Sequence, residues 1–196
     1  MTAFNTDLIS QVKSLEFILG QSAIIPKVLK RAEALNLPNW YLGAGCIAQT
    51  VWNYLSGKEL TSHIHDLDLV YFDQDDLGYK AENQRIDDAK ELFKDVPIKI
   101  DVKNQARVHL WYEKHFGYPI ESYHSVEDAI GSWPTTATCV GVRYSENECI
   151  VYAPYGLNDL FGMIVKPNKV QITEEIYVGK VKRWKHCWPM LQIVPW

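Results

Sequence analysis

Along the chain, apolar positions change their period several times, and each change predicts an element. Leu8, Val12, Leu15 and Leu19 form one helical stripe, with Asn5-Thr6-Asp7 placed to cap it and Gly20 to stop it. Ile25, Val28, Leu29, Ala32 and Leu35 face a second helix that has Pro26 in its first turn and ends before Pro38. The two are expected to pack as a hairpin against a sheet. A short apolar run then ends in Tyr41-Leu42-Gly43-Ala44-Gly45, and Ile47, Ala48, Val51, Trp52 and Leu55 follow at helical spacing. The glycines therefore stand where a strand passes into a helix. Next comes His65-Asp66-Leu67-Asp68-Leu69. On a strand, Asp66 and Asp68 share one face while Leu67, Leu69 and Tyr71 share the other.

A polar segment from Asp73 to Gln84 leads into a helix with Ile86, Ala89 and Phe93 inward. The strand predicted from Pro97 to Val102 turns Ile98, Ile100 and Val102 to one side and Lys99, Asp101 and Lys103 to the other. Asn104 to Phe116 reads as a helix with Val108, Trp111, Tyr112 and His115 in register and Gly117 as terminator. Ser125 caps a short helix ended by Gly131. The runs Ala137 to Tyr144 and Cys149 to Ala153 read as a β-hairpin around a four-residue turn, Ser145-Glu146-Asn147-Glu148. Gly156 opens a short helix containing Asp159, Leu160 and Phe161, and a last helix runs from Glu174 to about His186. Beyond it, Pro189 and Pro195 argue for an edge strand or an extended strap rather than a central strand. The pattern predicts an α+β fold: a small mixed sheet with packed helices and a C-terminal hairpin and helix addition.

Length and composition narrow this further. The chain has 196 residues, of which 47% are apolar, which suits one domain over residues 1–196 with its core at about 39–117. A net charge of −4 gives no general attraction for polynucleotides. The four cysteines show no Cys-x-x-Cys and no secretory leader precedes them, so reduced thiols and a cytoplasmic location are expected. No apolar run approaches the roughly 18 residues of a membrane span, and no membrane partner is expected.

Candidate chemistry centres on the aspartates. Carboxylates two positions apart on a strand stand roughly 7 Å apart, and such a pair is costly unless a cation neutralises it. Hard divalent ions with oxygen ligands do this well, which points to magnesium. Asp101 sits on the polar face of the other strand. If the two strands are neighbours, roughly 5 Å apart, it converges on the same ion; alternatively it pairs with Lys99 or Lys103 at a sheet surface. Arg107, in the first turns of its helix, calls for an anionic partner, either a carboxylate in a plain salt bridge or a triphosphate. His63-Ile64-His65-Asp66 begins like a His-x-His-x-Asp-His zinc motif, but Leu67 and Asp68 stand where that motif needs Asp and His. Cys46 at a helix N-terminus is a conceivable nucleophile or a small packing residue. Lys180, Lys182, Arg183 and Lys185 form a basic cluster that is either an RNA contact or a solvated face.

Glycine turn, helix, Asp-x-Asp strand and a later aspartate strand, in that order, resemble the head of the DNA polymerase beta-like nucleotidyltransferase superfamily. More closely, the chain resembles a bacterial nucleotidyltransferase-like family. The features that carry this are Gly43-Ala44-Gly45, Gln49-Thr50-Val51-Trp52-Asn53, Asp66-Leu67-Asp68, the segment from Asn104 to His109, Trp133-Pro134-Thr135-Thr136, the segment from Ala153 to Leu157, and Lys166-Pro167-Asn168. The resemblance implies that Asp66 and Asp68 ligate two Mg2+ ions, and that Asp101 completes the inner one and helps deprotonate an acceptor hydroxyl. It implies that the turn formed by Gly43, Ala44, Gly45 and Cys46 holds the triphosphate of a nucleoside triphosphate. Lys103 and Arg107 are candidates for stabilising the leaving pyrophosphate. The acceptor, a small molecule, a protein or an RNA, is left open. The turn departs from the superfamily pattern in having no phosphate-gripping hydroxyl, and the gap from Gly45 to Asp66 is longer than usual. A module that binds nucleotide without turnover is the alternative.

Overall fold

A computed structural model of the protein describes residues 3–145 and 148–196. Helices α1 (Leu8–Gly20) and α2 (Ile25–Ala32) lead through a 3-10 turn to strand β1 (Tyr41–Gly43), helix α3 (Gly45–Leu55) and strand β2 (Asp66–Tyr71). Helix α4 (Tyr79–Leu92) crosses to strand β3 (Lys99–Asn104), followed by α5 (His109–Phe116) and α6 (Val126–Gly131). The rest comprises β4 (Gly141–Ser145), β5 (Glu148–Tyr152), α7 (Asn158–Phe161), β6 (Ile164–Val165), α8 (Glu174–Cys187) and β7 (Gln192–Ile193).

The main sheet has the order β3-β2-β1-β4-β5, with β2 and β3 parallel and the other pairs antiparallel. A parallel pair needs a crossover, and α4 supplies it. The expected hairpin does not stand apart from this sheet: β4 pairs with β1 and extends it. Ser145 and Glu148 are partners in its last rung, and the expected turn residues Glu146 and Asn147 lie outside the described residues. The first hairpin strand begins later than its apolar run predicts, at Gly141, because Thr136–Thr138 is a 3-10 turn.

Alternation along β2 works as its sequence requires. Leu67 and Leu69 are fully buried against the helices behind the sheet, each contributing about 1.5–3 kcal/mol. On the opposite face a smaller cluster of Tyr41, Val70, Phe72, Ala106, Val126 and Ile130 covers only one end. Asp66 and Asp68 lie at the uncovered end. In α1, Leu8 is exposed and Ile18 takes the inward position expected of it, while Asp7 caps the helix by accepting from the Ser10 amide at 3.0 Å.

The long connection from α3 to β2 is held by one buried side chain. Asn53 donates to the carbonyls of Leu60 (3.1 Å) and Ser62 (2.7 Å) and accepts from the indole N–H of Trp188 at 2.8 Å. The Trp52 ring meets those of Trp184 and Trp188 edge-on, each at 5.5 Å, so α8 and the tail are locked onto α3. The tail ends as β7, paired in parallel with β6. That is the expected strap, with a two-residue strand partner that the sequence pattern did not reveal.

Replacing Asn53 leaves two carbonyls and an indole N–H without partners in the core. Asn53→Ala is expected to cost about 2–4 kcal/mol, read as a lower urea midpoint. Unchanged stability would remove this residue from its central role.

Candidate active site

Strand register builds the site. Gly43 on β1 is opposite Asp68 on β2, and Asp68 is opposite Asp101 on β3. Partners in register share a face, so glycine and two carboxylates form one row across three strands about 4.8 Å apart. Asp66, two residues up β2, is opposite Lys99. At the end of β1 the chain turns sharply: Ala44 has φ 58° and ψ −132°, a strained backbone for a residue with a Cβ. Gly43 could carry no side chain here, since a Cβ would lie 2.6 Å from the Val140 carbonyl oxygen and 2.8 Å from the Trp133 ring. Trp133 thus roofs the glycine turn.

Charges in the row are unevenly compensated. Burial pushes the Asp68 carboxyl up to about 7, and the neighbouring charges of Asp66 and Asp101 add to it. Lys103 and Lys180 oppose this only through space. Asp101 differs: burial pushes it up, but ion pairs with Lys103 (2.9 Å) and Lys99 (3.0 Å) outweigh burial and hold it below the usual carboxylate value. The pairing alternative for Asp101 is what the structure contains, with both lysines rather than one. Burial lowers the Lys180 ammonium, Arg183 adds to that, and Asp68 and Asp66 partly offset it.

Asp68 stands where two arms of one cleft meet. The polar arm, about 300 Å³, runs past Gly45, Gln49, His65, Asp66 and Arg183 at the start of α3. The second arm, about 280 Å³, runs toward β3 and α5 and is largely aromatic. Ala44, Trp133, Pro134 and Lys180 border both. Trp133 is fixed from behind by Asn168, whose amide donates to the carbonyls of Gly131 (2.7 Å) and Trp133 (2.9 Å). Tyr155 donates to the same Gly131 carbonyl at 2.9 Å. Three of the segments singled out in the sequence, around Trp133, Tyr155 and Asn168, therefore form a single clamp over the cleft.

Two candidates are engaged elsewhere. The helix expected from Asn104 to Phe116 is broken into a 3-10 turn, Gln105–Arg107, and α5. The break turns Arg107 away from the cleft: it is buried, ion-paired with Glu82, and donates to the Leu77 carbonyl at 2.8 Å. This is the plain salt bridge, not a triphosphate contact. Cys46 is buried, donates to the Gly43 carbonyl at 3.0 Å, and its thiol is pushed far up by burial, with Asp68 adding to it. It takes the place of a small packing residue. Sequence reasoning placed Lys180 and Arg183 only in a basic cluster; α8 carries both to the polar arm while Val181 and Trp184 pack inward.

Whether these residues suit a divalent cation can be judged from Asp68. Asp66 and Asp68 offer hard oxygen donors, and a buried carboxylate repelled by two others is the group a cation would relieve. Among the described residues, however, no three carboxylate, histidine or cysteine side chains are already gathered for a metal. Asp101 is available only when its lysines release it.

A family model described as nucleotidyltransferase matches residues 30–193. An NMR structure said to reveal a CCA-adding enzyme head domain is similar with a TM-score of 0.76 and 28% identity, over 94% of this chain and 96% of its own. No curated protein matches the sequence. No helix among the described residues is long and apolar enough to cross a membrane.

The strain at Asp68 predicts a pH signature. Its folded pKa, about 7, lies above the ordinary 3.8, so the native state holds the proton more tightly. The stability from the protonated form is fully present below about pH 3.8 and is lost as pH rises through 7. Asp68→Asn is therefore expected to match the wild type near pH 4 and to exceed it progressively toward pH 8, by at most about 4 kcal/mol. Urea midpoints of both proteins across this range check it. A variant less stable than wild type at pH 8 would show that the carboxylate is structural.

Proposed function

Because the chain belongs to the nucleotidyltransferase family, we propose that it moves a nucleoside monophosphate from a nucleoside triphosphate to a hydroxyl, with Mg2+ held by Asp66 and Asp68 and completed by Asp101. The observation that carries this reading is the row Gly43, Asp68, Asp101, with a half-buried Asp68 that has no ion-pair partner among the described residues at its centre and a cleft open above it. When bound, the ions would stabilise the attacking and leaving oxygens of an in-line displacement. The chain's own part is positional. The start of α3 at Gly45 and Cys46 offers backbone N–H groups to phosphate oxygens. Lys180 and Arg183, rather than Arg107, supply positive charge beside them, with Lys103 on the β3 side. Trp133 covers the turn and limits water at the reacting phosphorus.

Two observations favour the second reading, nucleotide binding without turnover. Asp101 is neutralised by two lysines, and the turn has Ala44 in a strained conformation with no hydroxyl to grip a phosphate.

Titration with each nucleoside triphosphate and Mg2+, followed by a pyrophosphate-release assay over a panel of acceptors, separates the two readings. Mg2+ with nucleotide is expected to raise the melting temperature of the wild type by several degrees, through binding to the folded state alone. The shift should vanish in Asp68→Asn, which stays folded. A shift without pyrophosphate release under any acceptor would support the binding module. No shift in the wild type would remove both readings.

A further inference from the structure

The second arm of the cleft is distinct from the polar arm, and its lining is specific enough to describe an occupant. We infer that it is the acceptor site, and that the acceptor is a small molecule carrying its hydroxyl on or next to a flat, uncharged ring. This rests on the nucleotidyl-transfer reading for the role of the site, but not for the binding itself.

The direction of the reaction assigns the arm. In nucleotidyl transfer the acceptor oxygen forms a bond to the α-phosphorus while the bond to the bridging oxygen breaks. The electron pair leaves with pyrophosphate, the hydroxyl proton passes to a carboxylate of the row, and the two oxygens lie in line on opposite sides of the phosphorus. With the leaving phosphates against α3, Lys180 and Arg183 in the polar arm, the attacking hydroxyl must enter from across Asp68. That is the β3 side, where Lys103 borders the second arm.

Its chemistry then limits the acceptor. Trp111, Tyr112, Phe116, Tyr123 and Trp133 line it, a surface suited to stacking on a flat ring. Its polar groups are largely satisfied by one another: Tyr123 bonds to Ser132 (2.8 Å) and to Gln171 (2.5 Å), and Tyr112 to Tyr118 (3.1 Å). Asp68 is the only carboxylate in its lining, among the described residues, and Lys103 and Lys180 border it, so a polycationic acceptor would be repelled. At about 280 Å³ it lies at the small end of ligand cavities. A polynucleotide end would need a basic track leading outward. Among the described residues, no such track is set out along the two helices that contribute to the arm: α5 carries Glu113 beside Lys114, and α8 opens with Glu174 and Glu175. Nucleosides and aromatic alcohols share the required chemistry.

Two readouts test this on the full chain. The first is direct binding of adenosine, 4-hydroxyphenylethanol, a polyamino sugar and a short oligoribonucleotide, followed by saturation-transfer NMR and tryptophan quenching. The second is pyrophosphate release with the same compounds in the presence of Mg2+ and each nucleoside triphosphate. Adenosine or the aromatic alcohol is expected to bind saturably, without competing with nucleotide, and to be the compound that supports release. Ile176→Lys, which puts a charge into the arm, should weaken ring binding at least tenfold while the nucleotide-induced melting shift remains. Phe116→Ala, at a half-exposed rim position that leaves the core intact, should weaken it several-fold. Ring binding that survives both variants, or competes with nucleotide, overturns the inference, as does release supported only by the polyamino sugar or the oligoribonucleotide. Loss of the nucleotide shift in the wild type with ring binding intact would overturn the transfer reading and the acceptor role, leaving the arm as a ring-binding site.

Discussion

Register between three strands is the constraint on which the rest depends. Antiparallel pairing of β1 with β2 sets Gly43 beside Asp68, and parallel pairing of β2 with β3 sets Asp101 on the other side. A slip of one residue in either pairing would turn a carboxylate into the leucine-lined core. The register is held by Leu67 and Leu69 on the buried face, whose exposure in a slipped sheet would cost several kcal/mol. Apolar burial on one side of the sheet thus maintains electrostatic repulsion on the other.

The second constraint is aromatic. Trp52, Trp184 and Trp188 pack as a trio, and Asn53 ties Trp188 to the loop that feeds β2. Residues more than a hundred positions apart are fixed together, and α8 then runs past the cleft with Lys180 and Arg183 on its open side. The polar arm draws its cations from the C-terminal part of the chain and its carboxylates from the centre. Neither part makes the arm by itself.

This explains what was legible in the sequence. Alternation around Asp66-Leu67-Asp68 and around Ile100-Asp101-Val102 revealed the faces of both strands, because period two is a local property. The glycine turn was legible because a strand must end there. For Arg107 the sequence left a salt bridge and a triphosphate contact open: its sequence distance from Asp101 is short, but the 3-10 turn capped by Asn104 directs it to Glu82. Lys180 was seen only as one cation among several. Its place beside Asp68 depends on how α8 docks on α3, which is set by tryptophan contacts across the chain and has no local signature. The roof formed by Trp133 was likewise hidden, since it rests on Asn168 and Tyr155 from separate loops.

The lysine pair on Asp101 connects the electrostatics to the chemistry. Lys99 is 70% exposed and Lys103 43%, so each pair is a surface contact worth at most about 1 kcal/mol, well within what a bound divalent ion can displace. The same lysines are free to turn toward the negative charge of an incoming phosphate once they leave the carboxylate. Asp68, by contrast, has no ion-pair partner among the described residues, and burial beside two other carboxylates raises its pKa. The resting site therefore keeps one carboxylate neutralised by movable charges and one strained by its neighbours. On the nucleotidyl-transfer reading, cations arriving with a polyphosphate would relieve both at once, whereas either alone would relieve one: cations would leave the lysines unpaired, and a polyphosphate would leave Asp68 repelled. On the same reading, binding of metal and nucleotide at this row would be coupled through Asp101 and its two lysines.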